Sequence, residues 1–362
     1  RKDGDTYWVP SAYIGGYPDS QPSIQPESGN DNSVYDQPYW NSDDDVDAEL
    51  IDSDGDSADR DDDGNPDIKI DVKDDDFLNS GETKEMILEL HGSSFENDKP
   101  TWFVIHGWDS NPDTDNINSL ISSLSEASES QVISVDWSSM SNTSTKAHLR
   151  QASDWIPEVG DALAETIQNK LNLDASKVSL AGHSLGAYVS WEVSKELKNW
   201  LQSSGEVDRL VALDPAAQVP GGYGTMAIDF SRYADWSWGF YGSNFGSDQK
   251  AKTAHEAFRF RFHDWNGRET AVGAHGSVVS SFANLIEANN QDPGNISKYF
   301  GLDQISSDAN KPWIRRNNEF DVRLFPEMND DREWMPHKMN YYDDEINIWN
   351  GDFDNWSKTV KE

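Results

Sequence analysis

Lys177-Val178-Ser179-Leu180-Ala181-Gly182-His183-Ser184-Leu185-Gly186-Ala187 is the stretch that decides the fold. The apolar run from Val178 to Ala181 reads as a buried strand, and a helix carrying Val189, Trp191, Val193 and Leu197 follows. Between them, Gly182-x-Ser184-x-Gly186 fits a strand–turn–helix junction that projects a serine hydroxyl from a strained corner. Glycines on either side let the flanking backbones approach with no side chain between them. The plain alternative is a Gly-Ser turn without chemistry, so the rest of the chain has to supply a base and an acid.

Outward from this corner, short apolar runs alternate with helical stretches. Residues 86–90, 101–105, 131–135, 177–181, 208–213 and 257–262 are predicted strands. Residues 116–128, 148–171, 185–201 and 277–288 are predicted helices, the last with Val278, Val279, Phe282, Leu285 and Ile286 on one face. Strand and helix in alternation imply a mostly parallel sheet with helices on both faces. Chemistry in such sheets gathers at the carboxyl ends of the strands. Four regions are expected: an extended aromatic-containing arm at 1–40, an Asp-rich segment at 41–80, the catalytic domain at 81–300, and a C-terminal extension at 301–362. Glu319 to Phe325 could form a strand in the extension, which otherwise carries no motif.

A serine hydroxyl needs a base to take its proton and an acid to orient that base. Asp214 ends the apolar run Arg209 to Leu213 at the required edge, whereas Asp208 opens that run and Asp136 precedes the serine. For the base, His275 lies in a flexible loop feeding the last helix. His263 ends the strand before it and stays open as the alternative, and His255 sits at the far edge. The oxyanion of an acyl intermediate requires backbone donors aimed in advance. The amide of Leu185, after the nucleophile, is one; that of Trp108, in Ile105-His106-Gly107-Trp108, is the other. His106 is then expected to hold its loop.

Ile105-His106-Gly107-Trp108, Val135-Asp136-Trp137, Gly182 to Ala187 and Leu213-Asp214-Pro215-Ala216 together resemble the pancreatic-lipase-like family of α/β-hydrolases. The likeness implies an α/β-hydrolase fold over roughly residues 85 to 290, a Ser184–Asp214–His275 triad and an oxyanion hole at Trp108 and Leu185. It also implies hydrolysis of carboxylic esters, the expected substrates being lipid esters (triacylglycerol lipase or phospholipase of the A type), with no catalytic cofactor. Vertebrate members carry a disulfide around a lid, and this chain has no cysteine. Phe230, Tyr233, Trp236, Trp238, Phe240, Tyr241 and Phe245 crowd the stretch between acid and base. They read equally as an acyl-chain wall or cover, or as aromatics packed on the sheet domain.

Composition narrows the partners. The 362 residues carry a net charge of -37, which argues against nucleic acid and against electrostatic docking on anionic lipid. Contact with neutral or zwitterionic lipid through aromatics remains open. No apolar run reaches the roughly 18 residues of a membrane span. The chain opens on Arg1 without a signal-peptide pattern, as expected of a processed chain. Within 41–76, 17 acidic residues stand against three basic ones. There Asp59-x-Asp61-x-Asp63-Gly64-x-x-Asp67 and Asp52-x-Asp54-Gly55-Asp56 have the alternate carboxylates of calcium loops. Position twelve of an EF-hand frame would be Ile70 rather than Glu, so the spacing looks more like extracellular Asp-rich repeats. A solvated acidic linker is the alternative. The expectation is a secreted serine hydrolase with structural calcium; its rival is a catalytically weak or inactive calcium-dependent binding or adhesion protein on the same scaffold.

Overall fold

In the predicted strands, alternate side chains belong to opposite faces, and the packing follows that period of two. Trp102 and Val104 of β4 (Thr101–Ile105) enter one apolar core, and Phe103 and Ile105 enter the other. The computed structural model describes residues 48–50, 67–74, 81–92, 94–127, 130–142, 149–200, 205–219, 227–262, 275–291, 300–307, 319–326, 334–340, 344–347 and 357–360. Besides β4, the strands among them are β1 (Ala48–Leu50), β2 (Ile68–Lys73), β3 (Thr83–His91), β5 (Gln131–Asp136), β6 (Val178–His183), β7 (Val207–Leu213), β8 (Ala234–Tyr241), β9 (Glu256–Phe262), β10 (Glu319–Pro326), β11 (Trp334–Asn340), β12 (Asp344–Asn347) and β13 (Ser357–Val360).

They form one sheet in the order β1-β2-β3-β5-β4-β6-β7-β8-β9-β10-β11-β12-β13. Pairing is parallel from β5 through β4, β6, β7, β8 and β9 to β10, and antiparallel on both flanks. The core is thus the parallel α/β sheet expected. Helices α1 (Asp115–Ala127) and α6 (Ser277–Gln291) cover one face. On the other lie α3 (Leu149–Asp154), α4 (Ile156–Glu165) and α5 (Leu185–Trp200), with the short α2 (Ser138–Ser141) after β5. The chain steps from β4 to β5 on one side, then crosses to β6 on the other. This reversal falls between the carboxyl ends of β4 and β6, the usual place for a ligand in an open parallel sheet.

Several elements depart from the sequence reading. The aromatic stretch is not a cover: Trp236, Trp238 and Phe240 are buried in β8, which lies between β7 and β9. Their period-two spacing was a strand signal masked by aromatic density. The helix expected over 148–171 divides at Trp155, where Pro157 begins a new helix in the first turn that tolerates its missing N–H. The C-terminal extension adds β10–β13 to the sheet. At the other end, β2 lies inside the Asp-rich segment yet pairs with β3, and its Ile70 and Val72 are core residues. The arm at 1–40 lies outside the described residues, as do Asp52, Asp54, Asp56, Asp59, Asp61, Asp63 and His263.

Candidate active site

Ser184 stands between β6 and α5 with φ of 56°, in the left-handed region. A non-glycine residue there costs roughly 1–2 kcal/mol, so the surroundings must hold it. The Ser184 amide donates to Leu213 O at 3.0 Å, and its carbonyl accepts from the amides of Ala187 and Ala216 at 3.3 Å. A Cβ on Gly182 would strike the Gly186 carbonyl, and one on Gly186 would strike the carbonyls of Ile105 and His106. The corner therefore closes only with glycine at both positions. β4 delivers Gly107 to the same point, where an added Cβ would lie 2.7 Å from Ser184 Cβ and 3.3 Å from its Oγ. The backbone leading to Trp108 thus runs beside the hydroxyl, while Leu185 opens α5 on its other side.

His106 ties this loop down. Its ring is fully buried, with Nδ1 2.9 Å from Gly107 O, while Nε2 accepts the Trp137 amide at 3.2 Å. Those partners fit a proton on Nδ1, and Nε2 also lies 3.4 Å from Asp136 Oδ1. Trp137 Nε1 returns a bond to His106 O at 2.9 Å, and the Asp136 carboxylate accepts the Ser138 amide at 2.9 Å. Asp136 is therefore occupied in the turn after β5.

Asp214 follows β7, also at positive φ (46°), with its amide donating to Phe240 O of β8 at 2.7 Å. Its side chain is 0% exposed. A buried carboxylate is tolerable only when well hydrogen-bonded, and four donors reach this one. Oδ1 accepts the amides of Gly242 at 3.0 Å and Ser243 at 3.4 Å; Oδ2 accepts the Ser243 hydroxyl and His275 Nδ1, the latter at 2.6 Å. His275, 24% exposed, uses Nδ1 for this bond. Among the described residues no hydrogen bond joins Ser184 Oγ to His275. Such contacts are often long without substrate and tighten in its presence.

His183, beside the serine, packs its ring on His275 with centroids 4.6 Å apart. It is 7% exposed and neither ring nitrogen has a hydrogen-bond partner. Burial, then the positive charge His275 can carry, pushes its pKa down to about 3, with the Asp214 carboxylate compensating in part. Ser243 and His183 are the two site residues not foreseen from sequence. His183 lay in plain view in the motif; Ser243 had no signal beyond the nearby glycines Gly242 and Gly246. His255 is accounted for elsewhere, stacked on Trp236 at 4.5 Å and bonded to Ser237.

Residues 45–223 match the family model described as Lipase. Ser184 and Asp214 fall inside that span; Ser243 and His275 lie beyond it. The pancreatic triacylglycerol lipase of Oryctolagus cuniculus is 32% identical over 130 residues, 35% of this chain and 26% of that enzyme. The inactive pancreatic lipase-related protein 1 of Homo sapiens is 30% identical over 129 residues, covering 35% of this chain and 25% of that protein. This chain therefore spans about a quarter of the length of the curated relatives it matches. Among solved structures, an α/β serine hydrolase without lid from Xanthomonas campestris aligns at TM-score 0.31 and 15% identity, covering 71% of this chain and 84% of that one. With its serine corner, parallel sheet and a Lipase match over 45–223, the chain is similar to the pancreatic-lipase-like family of α/β-hydrolases.

Proposed function

We propose that the chain hydrolyses carboxylic esters through an acyl-serine intermediate. The observation that carries this reading is the 2.6 Å Asp214–His275 pair beside a serine held at φ of 56°. In the proposed cycle Ser184 Oγ attacks the acyl carbonyl as His275 Nε2 takes its proton. Asp214 holds Nδ1–H and stabilises the imidazolium, while the Leu185 and Trp108 amides bind the oxyanion. His275 then protonates the leaving alcohol and activates the water that releases the acid. His183 favours this cycle by staying neutral, so the charge formed on His275 meets no second cation across 4.6 Å.

The finer reading is a lipid ester substrate. Phe245 is 69% exposed and its ring lies 6.0 Å from that of His275, a position suited to an acyl chain entering from a dispersed phase. The names of the relatives, triacylglycerol lipase among them, point the same way. Hydrolysis of chromogenic esters, triacylglycerol and phospholipid by the wild type, compared with Ser184→Ala, is the test. Turnover absent from every substrate, or equal in Ser184→Ala, would overturn the reading. It would favour the second one, a binding protein without activity, to which the similarity of a relative named as inactive lends weight.

We also propose a structural calcium held by the Asp52 to Asp67 segment and a site of action outside the cell, where that ion is plentiful. Asp67 is a buried carboxylate at the entry to β2, in keeping with a ligand there. Ile70 is fully buried in the core and offers no oxygen, which speaks for short Asp repeats over a twelve-residue frame. No heat of calcium binding in a calorimetric titration would remove the proposal. Among the described residues no helix is long and apolar enough to cross a membrane.

A further inference from the structure

The Asp214–His275 pair has a third member. Ser243 Oγ lies within hydrogen-bond distance of Asp214 Oδ2 and 3.2 Å from His275 Nδ1, and it accepts the amides of Phe245 and Gly246, each at 3.1 Å. A hydroxyl has one proton and two lone pairs. Both lone pairs are taken by the two amides, so the proton is aimed at Asp214 Oδ2. The oxygen is then closed as an acceptor to His275, and the Nδ1 proton is left to Asp214 alone.

The loop that presents Ser243 is itself fastened to the acid's loop. Ala217 N donates to Phe245 O at 2.7 Å, Ser247 N donates to Pro215 O at 2.7 Å, and Ala216 bridges Gly246. Tyr188 OH donates to Ala216 O at 2.6 Å, tying the same strip to α5 directly behind the nucleophile. Acid, hydroxyl and nucleophile helix thus form one connected frame.

We propose that Ser243 is a positioning residue that acts through Asp214: it fixes the carboxylate's orientation, directs the His275 Nδ1 proton to Oδ2, and shares the negative charge that the imidazolium feels. The proposal rests on the ester-hydrolase reading for its effect on turnover, but not for its effect on His275 itself. Among the described residues, the titratable groups facing that ring are Asp214 from the β7 loop and His183 from β6. Removing the Ser243 hydroxyl leaves more of the Oδ2 charge to His275, which then holds its proton to higher pH. It also frees the carboxylate to rotate.

In Ser243→Ala, kcat should fall about tenfold with KM nearly unchanged, short of the roughly hundredfold loss of an ångström misplacement. The acid limb of kcat/KM should move up by about half a pH unit, the direction a lost donor dictates. The second readout needs no turnover. With ¹³C-labelled histidine, the His275 ring signal, assigned with His275→Asn, should titrate at a midpoint raised by the same amount. Ser243→Thr should restore both values; if Ser243→Ala does not fold, Ser243→Cys, a weaker donor of similar size, should move the midpoint the same way by less. An unmoved midpoint in a folded Ala or Cys variant overturns the proposal while leaving ester hydrolysis intact. A raised midpoint in a chain that hydrolyses no ester upholds the coupling and refutes the esterase reading.

Discussion

His183 makes the folded state sensitive to acid, and the size of the effect follows from its burial. Its pKa is pushed down to about 3 in the folded protein, against an ordinary value of 6.5. The folded value is the lower one, so between the two the unfolded chain binds a proton that the folded chain does not. The stability tied to the neutral ring is fully present above about pH 6.5, declines as pH falls and is exhausted below about 3. Each pH unit within that window costs about 1.4 kcal/mol. Going from pH 7 to pH 5 therefore removes about 2 kcal/mol through this one ring. At pH 5 the folded ring is still neutral, so the unfolded value alone sets that figure. The perturbation is His183→Phe, which keeps an aromatic ring and removes the titration. The assay is urea unfolding of both proteins at the two pH values, with calcium and ionic strength held fixed. The wild type should lose about 2 kcal/mol more than the variant on acidification, since every other titrating group is common to both. Parallel losses, equal within about 0.5 kcal/mol, would refute the reasoning and mean that a proton finds a partner on the buried ring.

Three other perturbations test separate parts of the site. Ser184→Gly should abolish hydrolysis while raising stability by about 1 kcal/mol in a denaturant titration, because glycine adopts φ of 56° without strain. Gly107→Ala should lower kcat by about a hundredfold, since its methyl would press on Ser184 from 2.7 Å; single-turnover kinetics on a chromogenic ester would show whether acylation is the step lost. Phe245→Ser should raise the apparent KM for emulsified substrate severalfold and leave hydrolysis of a soluble ester unchanged, the contrast that separates contact with a dispersed phase from chemistry.

How much of this was legible in the sequence depends on how local each signal is. The serine corner is written in consecutive residues, since its glycines are demanded by carbonyls that any strand–turn–helix junction brings close. Asp214 and His275 were readable because the termination of an apolar run and a flexible loop are properties of short segments. β8 was not, although Trp236, Trp238 and Phe240 alternate correctly: seven aromatics in 16 residues are as compatible with a pocket wall as with a central strand. What settles them as a strand is pairing with β7 and β9, a non-local fact. Ser243 was invisible for the same reason. Its hydroxyl has a role only because two loops meet, the partners lying 29 and 32 positions away.

The dependence of Asp214 on β8 also sets an order in time. The acid's amide is held by Phe240, its carboxylate by the loop that β8 leads into, and its base arrives only after β9. β4, β6 and α5 supply the close glycine contacts of the serine corner, but the Ser184 amide and carbonyl are held from β7 and the acid's loop. The proposed nucleophile and the proposed acid are therefore held by one another's segments, and neither is fixed until β7 lies between β6 and β8. Any ester hydrolysis should therefore be the last property recovered on refolding, after the sheet has closed from β4 to β9.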